Sequence, residues 1–391
     1  MQHKKIGLNT ICTHVGEVKD EQFKGAISPL YMSSSYAFED VDVKRYPRYF
    51  NTPNQEALCK KIAALENAEA GLIFGSGMAA ITTSLMAFLR AGDHIIFQQV
   101  LYGGTYNLIV EEFEKFGIEY SFTEGWHPED FEKEIRSNTK VIYIETPSNP
   151  LLTITDLEAI GKLAKKHDLV SMIDNTFASP VNQNPIDFGL DIVIHSATKY
   201  MGGHSDMVAG AVASSEEHMN KILGLAKNFG GSLSDYTVWL LERSLKTMGL
   251  RVKAQNENAQ NMAEYLFNNT AVTKVYYPGL KSHPDHELAK SQMKGFGGML
   301  SFELHEDYDS AQFQKELQLI KSSMSLAGVE STILSPAKTS HALLSAEERA
   351  KQKILDGLIR FSVGIEETED LIADIEQALE KVRSWSAVTT S

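Results

Sequence analysis

The chain has 391 residues, 43% of them hydrophobic, a formal net charge of −14 and two widely separated cysteines, Cys12 and Cys59. That length exceeds what a single hydrophobic core usually serves, so two domains are expected. The acidic balance argues against nucleic acid or an anionic membrane surface as the main partner. The cysteine spacing offers neither a disulfide framework nor a cysteine-paired metal site. No apolar stretch of signal-peptide length follows Met1, and nowhere do about eighteen apolar residues run together, so a soluble cytoplasmic protein is expected.

Residues 1–51 are polar, aromatic-rich and weakly periodic, with Pro29, Ser33-Ser-Ser35 and Tyr46-Pro-Arg48-Tyr-Phe-Asn51. They read as an extended arm, stable only when packed on something else, and an arm this aromatic suits a neighbouring subunit. An amphipathic helix is predicted from about Gln55 to Glu66, then a strand at Ala70–Phe74. Gly75-Ser-Gly77-Met-Ala-Ala80 opens an apolar helix to about Leu89, a strand-turn-helix junction whose free backbone N–H groups suit a phosphate. The same stretch fits a dinucleotide fingerprint, which makes a nicotinamide-dependent dehydrogenase the remote alternative. That reading needs an acid at the end of the next strand, and His94–Phe97 is followed by Gln98 and Gln99.

Helices are predicted over about 105–116, 128–136 and 156–167, with strands at Ile118–Phe122 and Lys140–Glu145. Such alternation implies a mostly parallel sheet covered on both faces. Leu169–Ile173 is a further buried strand ending in Asp174, and Asp191–Ile194 another, ending in His195-Ser-Ala-Thr-Lys199-Tyr. Lys199 follows Asp174 by 25 residues, ample for a crossover between parallel strands. The pair would thus reach one sheet edge, where open α/β sheets build their sites. An amine and a carboxylate so placed suit pyridoxal phosphate: the amine forms a Schiff base with the aldehyde, and the acid keeps the pyridine nitrogen protonated.

Beyond Ser234 a long helix is expected from about Tyr236 to Asn268, broken or bent near Gly249, followed by a loop at 278–284. Strands at Gly297–Leu304, Ser323–Leu326 and Ile359–Val363, with helices over about 309–321 and 367–384, suit a smaller C-terminal α+β domain. His283-Pro-Asp-His286 invites a metal reading, but a proline loop with solvated histidines is preferred, and no metal is expected. Arg360 stands in an apolar strand, where an arginine has to be paired.

Several stretches together resemble the pyridoxal-phosphate enzymes of cysteine and methionine metabolism, the cystathionine lyases and synthases, methionine γ-lyases and acylhomoserine sulfhydrylases. They are Tyr-x-Arg-Tyr at 46–49, Ser-Gly-Met-Ala at 76–79, Tyr-Gly-Gly-Thr at 102–105, Glu-Thr-Pro-Ser-Asn-Pro at 145–150, Asp-Asn-Thr-Phe at 174–177 and His-Ser-Ala-Thr-Lys at 195–199. Gly-Gly-His-Ser-Asp at 202–206, Tyr-Pro-Gly-Leu at 277–280 and Arg-Phe-Ser-Val-Gly-Ile-Glu at 360–366 carry it across almost the whole chain.

The resemblance implies the fold type I, aspartate-aminotransferase-like architecture: arm 1–51, large cofactor domain 52–250 and small domain 251–391. It implies that Lys199 binds the cofactor aldehyde, Asp174 pairs with the pyridinium and Tyr102 stacks on the ring. Ser196, Thr198 and the N–H groups of Gly77 and Met78 would hold the phosphate, joined by Tyr46 and Arg48 of a neighbouring subunit. Asn149 would reach the ring hydroxyl and the substrate, Arg360 would clamp the substrate carboxylate with a bidentate fork, and Ser325 would help orient Lys199. Lys199 and Tyr102 would then be the proton-transferring groups. A homo-oligomer follows, a dimer with shared sites and from it a homotetramer.

Two departures bear on substrate. Methionine γ-lyases carry a cysteine where this chain has Gly104, which counts against methionine. Cystathionine γ-lyases often carry a glutamate where this chain has Met324, which weakens recognition of a distal ammonium unless Glu330 or the arm supplies it. The activity expected is a carbon–sulfur lyase of transsulfuration, with γ-elimination favoured over β-elimination. The alternative is a γ-replacement enzyme, a cystathionine γ-synthase or O-acylhomoserine sulfhydrylase.

Overall fold

The computed structural model describes residues 6–339, 347, 349 and 354–389. Seven strands form the larger sheet: β1 (Ala70–Phe74), β2 (His94–Phe97), β3 (Glu119–Phe122), β4 (Thr139–Glu145), β5 (Val170–Asp174), β6 (Ile192–His195) and β7 (Gly210–Ser214). Their order is β1-β7-β6-β5-β4-β2-β3; β7 runs antiparallel to both its neighbours, and every other pair is parallel. The C-terminal ends of β1, β2, β4, β5 and β6 therefore share one edge.

The faces alternate as a strand's period of two requires. Val141, Tyr143, Met172, Ile192 and Ile194 enter one core, and Ile142, Ile144, Ile173 and Val193 enter the other. The expected mostly parallel, doubly covered sheet is thus observed. The sequence reading placed no strand at β7, because Gly-Ala-Val-Ala-Ser has neither the bulk nor the alternation that marks one. Its small residues instead let helices approach the sheet closely.

The helices used below are α1 (Leu8–His14), α2 (Pro53–Leu65), α3 (Gly77–Met86), α4 (Gly103–Glu112), α5 (Pro128–Lys133), α6 (Leu157–Lys166), α7 (Ser179–Asn182), α8 (Glu216–Phe229), α9 (Asp235–Leu245) and α10 (Met248–Asn268). Most are shorter than their sequence patterns suggested. The α2 start is closed by a reciprocal cap, in which Thr52 Oγ1 accepts from Gln55 N–H and Gln55 Oε1 accepts from Thr52 N–H.

The expected break near Gly249 lies instead at Lys246–Thr247, and Gly249 sits inside α10. A Cβ there would lie 2.1 Å from Asn9 Oδ1, so this glycine admits α1 rather than bending the helix. Helix α1 itself corrects the picture of a wholly extended arm: Cys12 is fully buried, and its carbonyl accepts from the buried Lys61 Nζ at 2.7 Å. The segment beyond α1 is largely irregular and exposes Phe23, Ile27, Tyr31, Met32, Phe38, Tyr46 and Tyr49.

The second sheet comprises β8 (Val272–Tyr276), β9 (Met299–Leu304), β10 (Lys321–Ser322), β11 (Thr332–Leu334) and β12 (Leu358–Ser362), in the order β10-β11-β12-β9-β8. The helices Ser310–Glu316 and Thr368–Thr389 accompany it, and Phe302, Phe313, Phe361 and Leu371 fill its core. Helix α10 joins the two bodies: Met248 and Val252 pack in the first, Ala259 to Leu266 in the second. The 250/251 boundary thus falls within one helix.

The expected strand Ser323–Leu326 is not formed. The ladder ends at Ser322, and Ser325 (φ +80°) and Ala327 (φ +62°) adopt left-handed backbone, which no ladder accommodates. Tertiary hydrogen bonds hold this turn, including Ala327 N–H to Ser362 Oγ at 2.7 Å.

A Cβ on Gly210 of β7 would lie 2.1 Å from the carbonyl oxygen of Ser76, the residue that caps α3. Gly210→Ala therefore forces α3 off the sheet, and thermal unfolding should register a destabilisation of about 1–3 kcal/mol.

Candidate active site

A cavity of about 620 Å³ opens over the shared strand edge, within the range of pockets that hold a cofactor or small ligand. Its wall contains Gly77, Met78, Tyr102, Asn149, Asp174, Ser196, Thr198, Lys199, Ser325 and Arg360. Ten sequence-predicted residues thus converge. Tyr46 and Arg48 do not join them within one chain; Arg48 Nη1 donates instead to the carbonyl of Lys227, near the end of α8.

At the start of α3, Ser76 Oγ accepts from Ala79 N–H at 3.0 Å, which leaves the N–H groups of Gly77 and Met78 without a protein acceptor among the described residues. Gly77 is required there, since a Cβ would lie 2.9 Å from Ser196 Cβ. Two open donors beside the Ser196 hydroxyl, at a helix start, form an anion cradle. Thr198 contributes less than expected: its hydroxyl lies 3.2 Å from the Ala209 carbonyl, to which it donates, and accepts from Ala209 N–H.

Asp174 ends β5 and is buried, with Thr176 N–H donating to Oδ1 at 3.0 Å. No cation lies within 4.0 Å of its carboxylate among the described residues. Burial raises its pKa, opposed by hydrogen bonds from Thr176 and by the charges of His195 and Lys199. A buried, unmatched carboxylate facing a cavity is what a pyridinium N–H would satisfy.

Lys199 donates to Ser325 Oγ at 2.9 Å. Burial and then the nearby Arg360 charge lower its amine to about 8, with Asp174 pulling the other way. Arg360, in β12, is buried, with one guanidinium nitrogen on Asn149 Oδ1 at 3.1 Å and the other on the Ser325 carbonyl at 3.2 Å. Burial lowers it only to about 10, so it stays charged. It has no carboxylate partner within 4.0 Å among the described residues. The sequence argument that Arg360 must be paired thus resolves into two neutral oxygens and a fork open to an incoming carboxylate.

Tyr102 is half-exposed at the start of α4, its N–H donating to Glu145 Oε2 at 2.8 Å. A Cβ on Gly104 would lie 2.6 Å from the Tyr102 ring, so any side chain there displaces that ring. Met324 stands 71% exposed at the rim. Glu330, offered as a distal contact, lies outside the wall and faces Lys321 at 3.9 Å. Glu145 lines the cavity without having been assigned a role. Burial, then the Asp174 charge, pushes its carboxyl well up. Its signal was available, since it ends an apolar strand as Asp174 does. The histidines of the 283–286 stretch are not solvated as expected: His283 is buried, and His286, at the start of the helix His286–Gln292, is largely covered with Nδ1 2.8 Å from the Pro278 carbonyl.

A mixed sheet with a lysine, a buried aspartate, an anion cradle and a half-exposed tyrosine at one edge, backed by a second sheet domain, defines a fold type I pyridoxal-phosphate enzyme. The chain belongs to the Cys/Met metabolism PLP-dependent enzyme family, whose model matches residues 9–380. It is 45% identical over 377 residues to a cystathionine gamma-lyase of Bacillus subtilis, covering 95% of this chain and 99% of that one. It is 44% identical to a cystathionine beta-lyase of Lactococcus lactis subsp. cremoris, covering 94% and 97%. The solved cystathionine gamma-lyase of Lactobacillus plantarum complexed with L-serine superposes with a TM-score of 0.93 at 41% identity, covering 97% of this chain and all of that one. The dinucleotide alternative is thereby overturned. Gln98, at the position that reading needed for an acid, is buried and donates to the Glu145 carbonyl at 3.0 Å.

With its amine lowered to about 8, Lys199 is roughly one-tenth neutral at pH 7 and nine-tenths neutral at pH 9. Carbamylation of the apoprotein with cyanate, read by mass spectrometry, should rise at Lys199 with a midpoint near pH 8.

Proposed function

We propose that this protein is a carbon–sulfur lyase of transsulfuration that acts on cystathionine or a related sulfur amino acid, with γ-elimination favoured. The observation that carries the reading is the convergence of Lys199, Asp174 and Arg360 on one cavity with an unpaired guanidinium facing it. The named activities of the relatives, cystathionine lyases of both regiochemistries, support it.

Pyridoxal phosphate, when bound, supplies the electron sink that makes the carbons next to the amino group acidic. Asp174 would accept the hydrogen bond of the protonated ring nitrogen, Gly77, Met78 and Ser196 would hold the phosphate, and Tyr102 would cover the ring. Arg360 binds the substrate carboxylate and fixes which face of the substrate meets the lysine. The Lys199 amine, held by Ser325 Oγ and largely desolvated, takes the proton from the α-carbon. For γ-chemistry it serves the β-carbon as well. Tyr102, at the opening, exchanges a proton with the departing sulfur. Met324 offers no charge to a distal ammonium, which favours broad thioether selectivity.

The protein incubated with pyridoxal phosphate and L-cystathionine should release 2-oxobutanoate. Pyruvate would make it a β-lyase. Neither product, from protein that has bound the cofactor, would favour γ-replacement on an acylated homoserine.

Segment 15–51, with its exposed aromatics, crosses to a second copy of the chain in this reading, where Tyr46 and Arg48 complete the partner's phosphate site. The assembly is a dimer with shared sites, paired into a tetramer in the cytoplasm. Mixing Arg48→Ala and Lys199→Ala chains should restore about a quarter of wild-type activity, since random pairing gives hybrids half the time with one intact site of two. An inactive mixture of chains that demonstrably exchange would refute the shared site.

A further inference from the structure

Behind the strand edge lies a charged pair that the chemistry above leaves unused. Glu66, just past the end of α2, places Oε1 2.5 Å from Nε2 of His195, the last residue of β6; their side chains are 0% and 2% exposed. The same Oε1 accepts from Asn175 Nδ2 at 3.1 Å, and Oε2 from Asn184 Nδ2 at 3.4 Å. Three donors converge on one carboxylate with no access to water. Three hydrogen-bond donors favour the anionic carboxylate, and the short contact to Nε2 puts the His195 ring where a positive charge would be matched.

The pair sits against Asp174 through two strands. Ile194 is the Cα partner of Asp174, and Asn175 N–H bonds the Ile194 carbonyl at 2.9 Å. Strand alternation therefore turns Asn175 and His195 together to the face opposite Asp174. His195 stands on β6, the strand beside the one that ends in Asp174, and Glu66 stands at the end of α2. The His195 charge opposes the effect of burial on Asp174. From Asn175 the hydrogen bonds continue through Gln183 to the Thr146 carbonyl, and Lys294 Nζ holds Asn184 Oδ1 at 2.7 Å. The ends of β4, β5 and β6 are thereby fixed to one another.

We propose that Glu66 and His195 are positioning residues that keep Asp174 ionised toward the cofactor's pyridine ring. The other titratable groups facing Asp174 are Glu145 and Tyr143 of β4, whose own charged forms Asp174 disfavours, and Lys199, which favours the Asp174 charge. Lys199 is committed to the cofactor, so the pair is the standing source of positive potential. The inference rests on the cofactor's pose and is independent of which bond the enzyme cleaves.

The test is pyridoxal-phosphate affinity, read by tryptophan fluorescence on resolved apoenzyme at pH 8 and pH 6 for wild type, His195→Gln and Glu66→Gln. Both variants should bind nearly as wild type does at pH 8 and more weakly at pH 6, by up to about tenfold for a one-unit electrostatic shift, because Asp174 without the pair takes up a proton more readily as the pH falls. Unchanged affinity, or the same loss at both pH values, overturns the proposal, because a merely structural defect has no reason to follow pH. If both variants fail to fold, neutron diffraction of the wild-type holoenzyme at pH 8 decides it: two ring deuterons on His195 support the proposal and one overturns it. Asp174→Asn serves as the control; wild-type cofactor affinity in that variant would mean the pose itself is wrong.

Discussion

Placing a buried carboxylate and a partly buried amine at one sheet edge is the constraint on which the rest of this structure depends. Asp174 and Lys199 leave adjacent strands, and each loses water without gaining a close partner of opposite charge in the protein. That arrangement destabilises the fold, and it persists because the surroundings are over-determined. The strand ends are tied from behind by Asn175, Gln183 and Asn184, and the turn at Ser325 is pinned by Lys199 and Arg360. Local strain and unmatched charge gather where a ligand supplies what is missing.

The two bodies meet at the same place for related reasons. Arg360 comes from the second sheet, yet its guanidinium lies against Asn149 of the first body. Helix α10 spans the junction, and Arg251 near its start donates to the Tyr200 carbonyl at 2.9 Å, just past Lys199. Tyr200 Oη in turn accepts from Gly298 N–H at 2.9 Å, at the entry to β9. The residue following the lysine thus links both sheets, and the arginine that faces the cavity is carried by a domain whose placement is set next to Lys199.

How much of this was legible depended on the type of signal. Strands buried on both faces, such as β4 and β5, announce themselves as short apolar runs, and the carboxylate that ends β5 stands out by contrast. Strand β7 did not, since its small residues serve close packing under α3 and carry no periodicity. The turn at Ser325 looked like a strand because its composition is that of one. Its left-handed backbone follows from hydrogen bonds to residues 126 and 35 positions away. The helix break at Lys246 was misplaced onto Gly249 because a glycine's reason to exist there, the approach of Asn9, is invisible without the packed α1.

The sequence by itself determined the class of sheet, the edge on which the cavity opens and which amine and which acid meet there. These follow from local order: which residue ends which apolar run, and how far apart the runs stand. Only the tertiary structure decided that Arg360 faces the cavity unpaired, that Thr198 donates its hydroxyl proton to the backbone, and that Glu66 and His195 stand together behind Asp174. Each of those facts joins residues that are distant along the chain or depends on the direction of one hydrogen bond. Burial and partner geometry, which set charge states and open donors, come into being only when the strands are laid side by side.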